Sequence, residues 1–250
     1  MHILITGAAG FLGRGLIVPF EQGGDRLRLM DVVAFDTRHE YIRKSVTDLS
    51  AVRRAMEGID GLVIAHMAPR GDTTYDTPEL PFDINVKGTA NLLYAAAAQG
   101  VKRVVIISST AAIEGHRKGG RLARFDHALP ARPHGIYGCT KALQEQLGRQ
   151  YADENDAAVA CLRVGYILDG ERNEDKYGRV ITERNALDTD RRDIGGVARR
   201  WLHGEYAGFE VLHVMSAPGA LQAWDVEYTC RRLDWTPAHD FTWLPLPKSD

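Results

Sequence analysis

The run His2-Ile3-Leu4-Ile5-Thr6-Gly7-Ala8-Ala9-Gly10-Phe11-Leu12-Gly13 decides the fold of this chain. Its first five residues are mostly apolar and β-branched, the composition of a buried strand. Glycines follow at positions 7, 10 and 13, and from Phe11 to Gln22 apolar residues recur at helical spacing. Strand, glycine turn and helix in that order make an anion cradle. Glycine permits the tight turn, and backbone N–H groups at the helix N-terminus attract a phosphate. Arg26 to Met30 reads as a second strand, and Asp31 follows it directly. A carboxylate there accepts hydrogen bonds from the adenosine ribose of a dinucleotide. Gly7, Ala9, Gly10, Phe11, Leu12, Gly13 and Asp31 are therefore the expected cofactor residues. Asp31 favours NAD over NADP, because a carboxylate repels a 2′-phosphate. Val32 and Val33 offer no compensating cation, and Arg38 is the first cation after them.

Outward from this turn the alternation continues. Leu49 to Met56 reads as helix, Gly61 to Ala65 as strand, and Ile84 to Gln99 as an alanine-rich helix capped near Asp83. Val101 to Ser108 is an apolar strand, Ile136 to Tyr151 a helix, and Val159 to Val164 a strand. Apolar strands alternating with helices predict an α/β, Rossmann-like, doubly wound parallel sheet with helices on both faces. Past Gly165 the pattern weakens. Asp169 to Asp190 is polar and reads as loops over a mouth of the sheet. Asp193 to Leu202 reads as helix, Phe209 to Met215 as strand and Trp224 to Leu233 as helix. The expected division is a core over 1–165 and a small C-terminal substrate-binding cap over 166–250, packed on the same core.

Composition narrows the function. With 250 residues, 44% hydrophobic and 26% charged, the chain suits a folded domain with a sizeable core. A formal charge of −2 asks for no nucleic-acid or membrane partner, and the arginine pairs are scattered among acids as solvated faces. Cys139, Cys161 and Cys230 are widely spaced, which reads as free thiols in a reducing compartment. The nine histidines show no metal-ligand spacing, so no metal is expected. No leader precedes His2 and no apolar run reaches about 18 residues, so the cytoplasm is the expected location.

Tyr137 and Lys141 stand four residues apart, on one face of a predicted helix. A free phenol, with a pKa of about 10, is a poor base at neutral pH. A neighbouring cation favours the phenolate, which then takes a hydroxyl proton as hydride leaves for the cofactor. Upstream, the strand ends in Ser108-Ser109-Thr110, whose hydroxyls either hold a substrate oxygen or satisfy local backbone.

Together these elements resemble the extended short-chain dehydrogenase/reductase family, also called NAD-dependent epimerase/dehydratases. The landmarks are TGAAGFLG, Asp31, the segment Val46-Thr47-Asp48, His66-Met67-Ala68-Pro69, Asn85-Val86-Lys87-Gly88-Thr89, the Ser108–Thr110 end, YGCTK and Leu162-Arg163. The resemblance implies Thr110, Tyr137 and Lys141 as the catalytic set, with Asn85 as a structural and proton-relay asparagine. It implies Val46, Met67, Ala68 and Ser108 as further cofactor contacts, Lys141 on the nicotinamide ribose, and a homodimer paired through the two long helices. Two departures stand out. Ser45 occupies the place of an aspartate that meets the adenine, and Ala111-Ala112 replace the Asp-Glu pair of the dehydratases.

The stretch after Lys141 is short for members that hold nucleotide-sugars, so a small free substrate is expected. Among small members the chain looks most like the uronate dehydrogenases, which implies Arg184 as the grip on a substrate carboxylate and Ser109 and Thr110 as further substrate contacts. The expected function is hydride transfer between NAD and a small polyhydroxylated or acidic substrate. An epimerase of the same fold, or a non-catalytic NAD sensor, is the alternative.

Overall fold

The structure, a computed structural model, describes residues 1–69, 71, 73–117 and 124–247. In chain order it runs β1 (His2–Thr6), α1 (Phe11–Gln22), β2 (Arg26–Asp31), β3 (Glu40–Arg43), α2 (Leu49–Met56) and β4 (Gly61–Ile64). Then come α3 (Glu79–Pro81), a π-helical turn (Phe82–Lys87), α4 (Gly88–Ala98), β5 (Arg103–Ser109), α5 (Gly135–Asn155) and β6 (Ala158–Val164). The remainder is β7 (Tyr166–Asp169), β8 (Glu174–Asp175), β9 (Asp188–Asp190), α6 (Arg191–His203), β10 (Phe209–Val214), α7 (Ala220–Ala223) and α8 (Val226–Leu233).

Seven strands form one parallel sheet in the order β10-β6-β5-β4-β1-β2-β3. The order reverses between β1 and β4, and the crevice at such a switch point is where α/β sheets bind ligands. One face carries α1, α6 and α8, whose Leu16, Phe20, Val197 and Trp201 bury against Ile3, Ile5 and Val105. The opposite face carries α2, α4 and α5, with Val52, Leu92 and Tyr151 packed on Leu4, Leu62 and Val159. Burial on both faces explains why the central strands read as unbroken apolar runs.

Three details depart from the sequence reading. The helical stretch begins at Glu79, ahead of Asp83, which sits inside the π-helical turn and pairs with Lys87 at 3.3 Å instead of capping a helix. Residues 40–43 form a seventh strand that composition hides, because EYIR is short and half polar; its Glu40 pairs with Arg28 of β2 at 2.8 Å. The polar stretch 169–190 is not wholly loop, since β8-β7-β9 form a small separate sheet. Residues past Gly165 also complete the main layer, supplying β10 at its edge and α6 beside α1.

Candidate active site

The C-terminal ends of the strands open onto one cavity of about 710 Å³, lined from Asp31 and Val33 at one end to Tyr137, Tyr166 and Lys176 at the other. The glycine turn forms its floor. Gly7 has φ +69°, and a Cβ there would lie 2.7 Å from the Ala65 carbonyl oxygen, so only glycine lets β1 and β4 approach this closely. Gly10 sits at the N-cap of α1 with no side-chain cap. The N–H groups of Phe11, Leu12 and Gly13 find no acceptor among the described residues, which leaves the positive end of α1 facing the cavity.

Asp31 is fixed beside this turn. Its Oδ2 accepts from Ala9 N at 3.0 Å, and its Oδ1 accepts from Val32 N at 2.7 Å and Val33 N at 3.1 Å. A carboxylate has about four lone-pair sites, so acceptor capacity remains toward the cavity. Lys44 and Ser45, just past β3, line the same end with Val46. Arg38, the first cation after Asp31 in sequence, instead pairs with Glu21 at 3.1 Å and does not line the cavity.

Midway along the wall lie His66, Met67 and Ala68. Burial, helped by the Lys141 charge, pushes the His66 imidazole down to about 3. The neutral ring bridges the Thr6 hydroxyl and the Ile84 carbonyl, each at 3.0 Å, which makes it a wall post and not a proton carrier. Asn85 is fully buried in the π-helical turn, behind the wall. Its Oδ1 accepts from Ala68 N at 2.7 Å, and its Nδ2 donates to Thr140 Oγ1 at 3.0 Å. Thr140 in turn donates to the Tyr137 carbonyl at 2.8 Å. Asn85 therefore braces the cofactor wall against the helix that carries the tyrosine. It does not itself line the cavity.

At the far end Ser109, Thr110 and Tyr137 line the cavity together. Ser109 Oγ accepts from Ala111 N at 3.2 Å, capping a short 3₁₀ turn, Thr110–Ala112. Tyr137 stands near the start of α5, with the Tyr75 ring edge-on at 5.3 Å. Lys141, one helical turn on, is buried, with Nζ 5.9 Å from the Tyr137 ring centroid and donating to the Ile107 carbonyl at 2.8 Å. The Ile107 carbonyl and the Tyr137 ring replace part of the water that burial takes from this cation.

Two expected contacts lie elsewhere. Ser108 is buried on the opposite face of β5, and its hydroxyl donates to Glu145 Oε1 at 2.6 Å. Glu145 also holds Arg163 in a bidentate pair at 2.9 and 2.8 Å. Ser108 is thus part of an ion-pair network under α5 and does not line the cavity, because strand residues alternate faces. Arg184 does not line the cavity; its backbone N–H donates to the Pro245 carbonyl at 2.9 Å, and its charge acts on Asp240. The cation that does line the substrate end is Lys176, close over the Tyr166 ring. Lys44, Glu114, Tyr166 and Lys176 escaped the sequence reading because each comes from a turn or short strand with no motif of its own.

Among the described residues, Asp126, His127 and Asp225 bring three ligand atoms within 4.8 Å of one another. Arg124 pairs with Asp225 at 3.1 Å, and the His127 ring hydrogen-bonds Asp225 at 2.6 Å. The cluster fastens the loop ahead of α5 to the start of α8.

Residues 3–203 match the family model described as the NAD dependent epimerase/dehydratase family. An NAD-dependent glucose-6-phosphate dehydrogenase of Haloferax volcanii is 31% identical over 185 residues, 65% of this chain and 67% of that protein. A uronate dehydrogenase of Agrobacterium fabrum is 34% identical over 168 residues, 66% of this chain and 60% of that protein's length. A crystal structure of uronate dehydrogenase from Agrobacterium tumefaciens superposes with a TM-score of 0.75 at 26% identity, covering 96% of this chain and 85% of that one.

Proposed function

The chain belongs to the NAD-dependent epimerase/dehydratase family, and from that premise we propose that it is an NAD-dependent dehydrogenase of a small, polyhydroxylated, acidic sugar-type substrate. The residues present fit the cofactor. The unpaired N–H groups of Phe11, Leu12 and Gly13 suit a pyrophosphate, and the fixed Asp31 carboxylate suits ribose hydroxyls. NAD, when bound, supplies the hydride acceptor. Thr110 then holds the substrate oxygen and Tyr137 takes its proton, while Lys141 favours the phenolate by its charge.

One observation carries the reading: Thr110 and Tyr137 line the same cavity as the glycine turn and Asp31. Substrate acidity is supported by Lys176, which stands at the substrate end where Arg184 was expected. The relatives' names agree with this, since glucose 6-phosphate and uronates are both anionic sugars. The region past Gly165, which supplies Tyr166 and Lys176, is the substrate-binding part.

NADH absorbance, with NAD offered beside uronic acids, sugar phosphates, aldoses and polyols, tests the proposal. Turnover of an acidic sugar that is lost in Tyr137→Phe supports it. NAD binding with no signal above that variant refutes it, and interconversion of sugar epimers without NADH release would make the chain an epimerase.

We also propose a cytoplasmic homodimer. Exposed Tyr94 and Leu143 on the adjacent helices α4 and α5 support the pairing, and three free cysteines support a reducing compartment. Among the described residues no helix is long and apolar enough to cross a membrane. Sedimentation at equilibrium, repeated with Tyr94→Glu, checks the dimer.

A further inference from the structure

Beyond Thr110 the chain passes into a second short 3₁₀ segment, Glu114–Arg117. Glu114 is half-buried and lines the cavity together with Ser109, Thr110, Ala111 and Tyr137. Among the described residues its carboxylate has neither a hydrogen-bond donor nor a cation. By contrast, Asp31 holds three backbone N–H groups, His66 two partners, and Lys176 two aromatic rings.

The position of Glu114 is nevertheless set firmly. Arg132 N donates to the Ala112 carbonyl at 2.9 Å, and Gly115 N donates to the Arg132 carbonyl at 2.8 Å. A Cβ at Gly115 would lie 2.5 Å from that same Arg132 oxygen, so the turn is seated directly on the segment leading into Tyr137. Ile113, the preceding residue, is fully buried. Glu114 thus stands on a braced turn and lines the same cavity as Thr110 and Tyr137.

An ionised carboxylate only accepts hydrogen bonds, through two oxygens side by side. Water serves it until a ligand brings donors, and charge-assisted bonds to those donors are stronger than neutral ones. Adjacent hydroxyls on a sugar ring match the pair of oxygens. The neighbouring Ala111 and Ala112 bring no side-chain donor or acceptor, so Glu114 is the polar side chain this turn offers to a ligand.

We infer that Glu114 is a specificity-determining residue that accepts hydrogen bonds from two adjacent hydroxyls of the substrate, and so selects hydroxylated sugars over their deoxy counterparts. The inference rests on the dehydrogenase reading and adds the residue that reads the substrate's hydroxyls. A site built to pair with a hydroxyl discriminates strongly against an analogue lacking it, because its acceptor is then left unmatched.

The test compares wild type, Glu114→Gln and Glu114→Ala with glucuronate, glucose, 2-deoxyglucose and 3-deoxyglucose, with NAD present. For wild type, kcat/KM falls about ten- to hundredfold on loss of a recognised hydroxyl, the range of a hydrogen bond to a charged group. Glu114→Ala loses the same factor on the parent sugar, mainly through KM, and no longer distinguishes the deoxy sugars. Glu114→Gln, which keeps one acceptor oxygen, lies between, and the KM for NAD is unchanged in both. Retention of the wild-type preference in Glu114→Ala overturns the inference.

Calorimetric titration of the same sugars into Tyr137→Phe and Tyr137→Phe/Glu114→Ala, saturated with NAD, separates the two ideas. Sugar binding without turnover in the wild type sinks the dehydrogenase reading alone, and the Glu114 effect on Kd still decides this one. Equal affinities in the two variants, or no sugar binding at all, sink the Glu114 assignment.

Discussion

Asp188 opens β9 beside the cavity wall residue Leu187, and it is almost completely buried. Its Oδ2 accepts from Asn185 N at 2.6 Å, and no cation pairs with it among the described residues. Burial pushes its carboxyl from an ordinary 3.8 up to about 6. Between those two values the folded chain holds a proton that the unfolded chain has released. Stability therefore falls as pH rises through that window, and it stays lower above it. At about 1.4 kcal/mol per pH unit, the full loss is on the order of 3 kcal/mol.

Asp188→Asn keeps an acceptor for Asn185 N but has no proton to lose. Urea unfolding of both proteins at intervals from about pH 4 to 7.5 reads the difference in stability. The variant should gain on the wild type by up to about 3 kcal/mol across that range, with most of the gain below about pH 6. Buried His213, pushed down to about 3 by burial, destabilises toward acid in both proteins and cancels in the comparison. Stability curves that stay parallel would refute the claim that Asp188 carries an unpaired buried charge at neutral pH.

Three further substitutions probe the cavity and its supports. Asp31→Ser removes the carboxylate that repels a 2′-phosphate and leaves Lys44 at the same end, so the NAD-to-NADP ratio of kcat/KM should fall at least tenfold; Asp31→Ser/Lys44→Ala should lose the new NADP activity. Lys176→Ala should raise KM for an anionic sugar about tenfold or more while Arg184→Ala leaves it within about twofold, as initial-rate kinetics would show. Ser108→Ala should lower stability by about 1–2 kcal/mol in urea titrations, through the lost bond to Glu145, with no change in KM for NAD.

How far the site was legible depends on the range of the constraint that places each residue. Ser108 and Ser109 show the limit. Val104, Ile106 and Ser108 share one face of β5, and Val105, Ile107 and Ser109 share the other, and both faces are buried. With apolar residues on each side, composition gives no hint of which serine meets the cavity. Asn85 stands behind the cavity wall on a π-helical turn that no periodicity announces.

The sequence by itself determined the doubly wound core, the glycine turn, Asp31 and the Tyr137–Lys141 spacing. Each of these is a short-range matter: apolar runs fix strands, glycine fixes a tight turn, and helical periodicity sets two side chains one turn apart. Tertiary structure decided which side chains share the substrate end of the cavity. Glu114 arrives there on a turn seated against Arg132, Lys44 through a polar edge strand, and Lys176 through a small sheet from the last third of the chain. Segments far apart in sequence meet there only because both faces of the sheet must be buried. That packing, rather than any local motif, left Arg184 out of the cavity wall and Lys176 in it.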